Sequence, residues 1–199
     1  MLTRDDLDED PLKQFDRWFQ EALKKQVDFA NAMTIATVDE SGAPDARVLL
    51  LKEINSEGLV FFTNYESVKA RQLGLNPHAA AVFWWPVLER QVRVRGGVSK
   101  ISAAQSDAYF KTRPRGSQLG AWASKQSQVL QDRVELEATC LKLEQRYRGK
   151  EIPRPENWGG YCLKPNHFEF WQGRENRLHD RFEYDRNKSG DWEIRRLAP

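Results

Sequence analysis

The chain has little of what several protein classes require. No stretch approaches the roughly 20 consecutive apolar residues that span a bilayer, so no membrane partner is expected. Cysteine is scarce: Cys140 and Cys162 are the two in 199 residues. They have neither metal-ligand spacing nor the density of a disulfide framework, and a reducing cytoplasm suits them. An excess of one charge sign is also missing, since 31 Lys and Arg against 29 Asp and Glu leave a net charge of +2. That balance argues against nucleic acid as a partner, with Arg90, Arg93 and Arg95 the one basic cluster. Gly-x-Gly-x-x-Gly, Walker, zinc-finger and nucleophile-elbow patterns are all absent. His78, His167 and His179 are too scattered to suggest a metal site. No repeat, low-complexity tract or internal boundary appears, so residues 1–199 are expected to form one domain, with residues 1–9 a flexible lead. Met1-Leu2-Thr3-Arg4-Asp5-Asp6 is acidic and carries no apolar run, which sets the expectation of no secretory leader.

What is present is a globular composition, 40% hydrophobic and 30% charged, that can bury a sizeable core. Seven tryptophans and ten phenylalanines add flat side chains of the kind used at large interfaces or beside a flat ligand. Asp10-Pro11 is a helix start, and Leu12, Phe15, Phe19, Ala22 and Leu23 give a helix over residues 11–25. Residues 32–39, 46–54 and 59–63 are rich in β-formers, with turn chemistry at residues 40–42 and 55–58. They predict an antiparallel meander. Ser67 caps a short helix ending before Asn76-Pro77, and strands resume at residues 79–85 and 90–98. Ser102-x-x-Gln105 is a capping box whose helix stops before Arg113-Pro114. A loop then leads to Ser127, and Val129, Leu130, Val134, Leu141 and Leu143 predict a long helix to about residue 148, closed by Gly149. Strands near 158–164, 167–172, 177–184 and 191–196 complete an α+β chain around an antiparallel barrel with peripheral helices.

Candidate chemistry concentrates in a few stretches. If residues 177–184 are a strand, Arg177, His179 and Arg181 share one face while Leu178 and Phe182 enter the core beside Asp180. Such a cationic face suits an anion or an electron-rich ring, and a solvated strand surface is its ordinary alternative. Arg47-Val48-Leu49-Leu50-Leu51-Lys52 is an apolar strand bracketed by two cations, which either snorkel or rim a ligand site. Thr63 to Lys69 runs from a strand into a helix N-terminus, and Thr63, Ser67 and Lys69 there make a plausible phosphate cradle. Tyr109, Arg113 and Ser117, spaced four apart across a helix end into a loop, offer a second. Gln126-Ser127, at another helix start, offers amide and hydroxyl contacts for a heterocycle edge.

Together these blocks resemble the pyridoxamine (pyridoxine) 5′-phosphate oxidase family from about Asp10 to Pro199. The resemblance rests on Arg47–Lys52, Phe61-Phe62-Thr63-Asn64, Leu88-Glu89-Arg90-Gln91-Val92 and Tyr109-Phe110-x-x-Arg113-Pro114-Arg115-x-Ser117-Gln118. It rests equally on Ser124-Lys125-Gln126-Ser127, Phe170-Trp171-Gln172-Gly173, Arg177 to Phe182 and the ending Arg196-Leu197-Ala198-Pro199. It implies a split β-barrel working as a homodimer, with FMN in clefts between subunits. The implied reaction oxidises pyridoxamine and pyridoxine 5′-phosphates to pyridoxal 5′-phosphate with O2 as acceptor, giving hydrogen peroxide and, from the amine, ammonia. Carried over residue by residue, FMN contacts fall on Arg47, Val48, Leu49, Leu50, Leu51, Lys52, Phe62, Thr63, Ser67, Lys69, Gln91, Gln126, Ser127, Trp171 and Arg181. The substrate phosphate falls to Lys52, Tyr109, Arg113 and Ser117, and the pyridine ring to Arg177 and His179 as the catalytic pair. Three departures stand out: Val68 replaces a usual arginine, Phe62 replaces a common tyrosine, and a substrate-covering segment ahead of Met1 is missing from this sequence. They keep a second reading in view, a non-catalytic carrier of FMN or pyridoxal phosphate.

Overall fold

The computed structural model describes residues 1–25 and 27–199. Helix α1 (Pro11–Lys24) starts where the sequence places it, with Asp10 accepting a hydrogen bond from the Leu12 amide and proline at its first turn. Its apolar stripe buries Phe15, Trp18 and Ala22 against the sheet, and the Phe15 and Phe83 rings lie 4.8 Å apart. Nine strands follow: β1 (Ala32–Val38), β2 (Pro44–Leu50), β3 (Glu53–Asn55), β4 (Gly58–Asn64), β5 (His78–Trp85), β6 (Arg90–Lys100), β7 (Trp158–Gln172), β8 (Asp180–Arg186) and β9 (Trp192–Leu197). Helix α2 (Val68–Leu75) lies between β4 and β5. Helices α3 (Ala103–Thr112), α4 (Arg115–Ala123) and α5 (Arg133–Arg146) fill the connection from β6 to β7.

All the pairings are antiparallel, in the order β2-β1-β5-β6-β7-β4-β3, with β8 beside β7 and β9 beside β8. β7 changes neighbours along its length, pairing β4 over Trp158–Leu163 and β8 over His167–Gln172 while β6 runs along its other side. That exchange splits the barrel, the α+β architecture expected from the sequence. The hinge is a register shift between Arg95 and Gly96, opposite Pro165. A Cβ on Gly96 would sit 2.0 Å from the Lys164 carbonyl oxygen, so only glycine permits this approach. The main core, with Phe61, Phe83, Phe168, Phe170 and Tyr184 at its centre, lies inside the barrel. A second cluster, Phe110, Leu119, Tyr147, Ile152 and Trp158, seats α3 to α5 on the start of β7.

Several expectations need correction. Residues 32–63 are not a meander: β1–β2 and β3–β4 are separate hairpins, and β1 and β4 take their other neighbours from β5 and β7. The run at residues 46–54 breaks at Leu51 and Lys52, where the chain leaves β2 for β3. The loop expected after Pro114 contains α4, hidden by the low helix propensity of Gly116 and Gly120. The helix after it starts at Arg133, capped by Asp132, so Val129 and Leu130 precede it and are exposed, as are Val134 and Leu141 within it. The strands expected at 158–164 and 167–172 are one, β7, which carries Pro165 through at the register shift. Residues 1–9 are packed rather than a free lead. Leu2 and Leu7 are buried, the Leu2 amide donates to Asp180 Oδ2 at 2.9 Å, and the Tyr184 hydroxyl donates to the Asp8 carbonyl at 2.8 Å.

Candidate active site

The chain gathers its candidate residues in two places. The first is a cavity of about 520 Å³ where the end of β2, the middle of β4 and the α3–α4 junction meet. Val48, Leu49, Leu50, Lys52, Phe62 and Thr63 line it from the strands, and Tyr109, Arg113, Ser117 and Gln126 from the helices and the loop beyond. Tyr109 lies in α3, Arg113 caps that helix, and Ser117 sits in α4 rather than in a loop. The turn at Pro114 therefore folds the i, i+4, i+8 series onto one wall. Phe62 stacks on Tyr109 with ring centroids 3.9 Å apart, and Trp158 continues the stack at 5.4 Å from Phe62. The Arg113 guanidinium lies over Trp158, 4.6 Å from its centroid. Its Nη1 is buried without a hydrogen-bond partner among the described residues. Burial pushes the guanidinium below its ordinary pKa range, with Tyr109 opposing. A buried donor on a cation with no acceptor is costly unless a ligand supplies one.

Beside this cavity, Lys69 is 7% exposed and donates to Thr63 Oγ1 at 3.2 Å and Gln126 Oε1 at 2.9 Å. It makes no salt bridge among the described residues. Burial lowers its pKa, Arg47 adds to that, and Asp45 opposes it. Ser67 is fully buried as the N-cap of α2, its hydroxyl donating to the Asn64 carbonyl at 2.7 Å. The Val68 amide donates to Ser127 Oγ at 3.3 Å. Ser127 therefore reaches the start of α2 from a turn in the left-handed region (φ 69°), not from a helix start of its own. Arg47 is half-buried, donating to Thr37 Oγ1 at 2.6 Å and pairing with Asp45, so its head is engaged rather than free in solvent. Leu51 is buried and Lys52 exposed at the cavity rim. Buried Lys69, the positive end of α2 and a guanidinium donor without an acceptor fit a cofactor and a substrate that both carry phosphate.

The second place is the far end of β7. Thr63 lies opposite Gly159, whereas Gln91 lies opposite Trp171, and about 40 Å of strand contour separates the two. Gln91, Trp171, Arg177, His179 and Arg181 do not line the first cavity. Arg181 is opposite Trp171 on β8, and its Nε donates to Glu169 Oε1 at 2.9 Å. Glu169 is 3% exposed, and its other oxygen accepts from Arg93 Nη1 at 2.8 Å. The expected strand face of Arg177, His179 and Arg181 fails, because β8 begins only at Asp180. Residues 175–177 form a 3-10 turn in which Asn176 and Arg177 have φ of 56° and 61°. Arg177 is exposed, Leu178 is 68% exposed rather than in the core, and Phe182 and Asp180 are buried as expected. The His179 ring packs 4.5 Å from Trp171, and its Nδ1 accepts the Arg174 amide at 3.1 Å. The sequence reading missed Trp158, Glu169 and Arg174. Trp158 and Glu169 act through partners distant in the chain, and Arg174 acts within a left-handed turn that no local pattern marks.

An antiparallel split barrel that gathers cationic side chains at two separate ends of β7 defines the class of fold. Residues 19–147 match the family described as pyridoxamine 5′-phosphate oxidase, and residues 158–199 match the pyridoxine 5′-phosphate oxidase C-terminal dimerisation region. The chain belongs to the pyridoxamine 5′-phosphate oxidase family. It is 56% identical over 194 residues to pyridoxine/pyridoxamine 5′-phosphate oxidase 1 of Ralstonia nicotianae, covering 98% of this chain and 91% of that one. It is 52% identical over 198 residues to the pyridoxine/pyridoxamine 5′-phosphate oxidase of Rippkaea orientalis, covering 100% and 93%. Among solved structures, PhzG from Burkholderia lata 383 in complex with tetrahydrophenazine-1-carboxylic acid superposes with a TM-score of 0.94 at 29% identity, covering 100% and 98%. A pyridoxamine 5′-phosphate oxidase-related, FMN-binding protein of Nostoc punctiforme shares the fold, with a TM-score of 0.75 at 20% identity over 93% and 97%.

Proposed function

We propose that this chain is an FMN-dependent oxidase of pyridoxamine 5′-phosphate and pyridoxine 5′-phosphate, and that it works as a homodimer. The observation that carries the reading is Arg113, a cation stacked on Trp158 with a buried, partnerless Nη1 in a cavity shared with Lys52, Tyr109 and Ser117. That set receives the substrate phosphate. Arg47, Thr63, Ser67, Lys69, Gln126 and Ser127, around α2, would hold the FMN phosphate, and Val48 to Lys52 with Phe62 would border its ring system. Bound FMN supplies a hydride acceptor for the substrate C4′ carbon and returns the electrons to O2, giving hydrogen peroxide. Arg177 holds the pyridine ring from the side away from the flavin, and His179 contacts its polar edge. Their task is positioning and electrostatics. For the amine substrate, hydrolysis of the C4′ imine releases ammonia.

Dimerisation is supported by the separation of the half-sites and by a continuous sheet face. Cross-strand register places Val48, Thr34, Val82, Arg93, Glu169, Glu183 and Arg195 in one row across seven strands. The same face exposes Val48 (65%), Leu50 (37%) and Trp84 (52%), apolar surface suited to a second copy. In this arrangement Gln91, Trp171, Arg177, His179 and Arg181 of one subunit complete the phosphate cavity of the other.

The test is anaerobic mixing of the flavin-loaded protein with pyridoxamine 5′-phosphate. Bleaching of the flavin absorbance, with dephosphorylated pyridoxamine far less effective, is the expected result. A yellow protein that binds pyridoxal 5′-phosphate but never bleaches would be a carrier instead.

A further inference from the structure

Asp180 has no place in the proposed catalytic or flavin-contacting set, yet more of the ring-end geometry converges on it than on any of those residues. It is 6% exposed. Its Oδ2 accepts from the Leu2 amide at 2.9 Å and from Arg174 Nε at 2.9 Å, and its Oδ1 accepts from Arg196 Nη1 at 3.1 Å. Arg196 also donates from Nη2 to the Leu2 carbonyl at 3.0 Å. One carboxylate thereby joins the N-terminal residues, the last strand and the turn between β7 and β8. Burial alone would raise its pKa, but the hydrogen bonds from Arg174, Leu2 and Arg196 outweigh it and hold the group below the ordinary aspartate value.

The turn needs such an anchor. Asn176 and Arg177 both occupy the left-handed region, which disfavours a side chain such as that of Arg177. Within the turn the Arg174 amide donates to His179 Nδ1. A ring nitrogen that accepts a backbone N–H carries no proton, so neutral His179 is held as the Nε2–H tautomer. Its remaining nitrogen is then a donor, complementary to an oxygen acceptor on the edge of a pyridine ring.

We propose that Asp180 is a positioning residue: by clasping Arg174, it fixes the turn in which the Arg174 amide sets the tautomer and aim of His179. This rests on the reading of His179 as a substrate contact, but the tautomer itself does not depend on what the substrate is.

The experiment uses the flavin-loaded protein and the variants Asp180→Ala, Asp180→Asn and Arg174→Met. Ring-nitrogen NMR reads the tautomer, and it is tractable because the chain has three histidines. The parent His179 is expected as Nε2–H. Asp180→Ala and Arg174→Met should release it into a mixture of tautomers and lower kcat by roughly 10- to 100-fold, with the FMN dissociation constant within twofold of the parent. Asp180→Asn, which keeps an acceptor for Arg174, should recover part of both. Arg174→Met carries the test if Asp180→Ala fails to fold. An unchanged tautomer and kcat in Arg174→Met would overturn the proposal, as would a loss of FMN parallel to the loss of kcat. A parent that never oxidises pyridoxamine 5′-phosphate, but whose His179 tautomer still answers to Asp180, would sink the functional reading and leave the clasp intact.

Discussion

The two half-sites treat charge in opposite ways. At the phosphate end, buried Lys69 and half-buried Arg113 have no carboxylate partner among the described residues, although Arg47 nearby pairs with Asp45. Burial pushes the pKa of Lys69 and Arg113 down. At the ring end, Arg181 is paired with Glu169 and Arg174 with Asp180. Hydrogen bonding to Glu169 raises the Arg181 pKa. The first half-site therefore stores unmet electrostatic demand that an anion relieves. At the second, the buried carboxylates Glu169 and Asp180 are met by arginines, while Arg174 Nη2 keeps a buried donor without a partner among the described residues. Most of its charge is thus balanced within the chain, which suits a ligand whose ring must be placed. One chain holds both ends but does not join them.

The largest effect that would break or confirm this division comes from hybrid dimers. Arg113→Ala and His179→Ala homodimers should each be nearly inactive. After co-refolding in equal amounts, half of the dimers pair one variant with the other. Each such dimer holds one cleft with both native ends and one with neither. Activity should recover to about a quarter of the parent's. If the mixture stays as inactive as its components, each cleft belongs to a single chain.

Next in size is Lys69→Met. Losing a charge-assisted contact to the flavin phosphate should weaken FMN binding by roughly 10- to 100-fold. The flavin-free protein should nevertheless be no less stable, because a buried ammonium without a counter-ion is itself costly. The sign of the pH dependence follows. With the folded pKa of Lys69 below the unfolded value of about 10.4, the unfolded state binds more protons in the window just under that value. The stability of the flavin-free parent should rise with pH through that window relative to Lys69→Met. Urea titrations at several pH values measure the difference, and a variant clearly less stable than the parent would show that Lys69 is structural.

The ring end should respond in the reverse sense. Glu169→Gln leaves Arg181 and Arg93 without their shared carboxylate. It should cost on the order of 1–3 kcal/mol of stability, toward the lower end because both arginines keep some exposure to water. FMN affinity should fall less than in Lys69→Met. Equal responses at the two ends, by urea denaturation and flavin titration, would erase the contrast.

What the sequence made legible follows the same division. Local chemistry was readable: the Asp10, Ser67 and Ser102 caps each begin a helix where expected. The i, i+4, i+8 run from Tyr109 to Ser117 was readable too, and it reaches one cavity although Ser117 lies on an unforeseen helix. Period-two alternation misled at residues 177–184. A 3-10 turn with left-handed Asn176 and Arg177 delays β8 until Asp180, and alternation says nothing about where a strand starts. Pro165 misled in the opposite direction, since a proline can sit inside a strand at a bulge opposite glycine. Glu169 and Asp180 were not visible as supports because their partners Arg93 and Leu2 lie 76 and 178 residues away. Arg174 was not visible because its bonds to His179 and Asp180 depend on the unforeseen turn.

The smallest effect concerns Val68, at the first position of α2. It is half-buried, and its amide already donates to Ser127 Oγ. An arginine side chain there would add a charge-assisted hydrogen bond to the flavin phosphate, worth on the order of 1.5–3 kcal/mol when fully formed. Arg71 lies one turn further on and is exposed, with its Nη1 donating to the Glu66 carbonyl at 2.6 Å. That bond holds a guanidinium beside the helix start, where its field reaches the same phosphate. Part of the missing stabilisation is thus already supplied, and Val68→Arg should tighten FMN binding by only about tenfold or less. Arg71→Ala should then weaken binding more in the parent than in Val68→Arg. A double-mutant cycle on FMN dissociation constants measures that coupling directly. Additive effects would remove Arg71 from the account, and no gain from Val68→Arg would mean that Lys69, Ser127 and the α2 amides already saturate the phosphate.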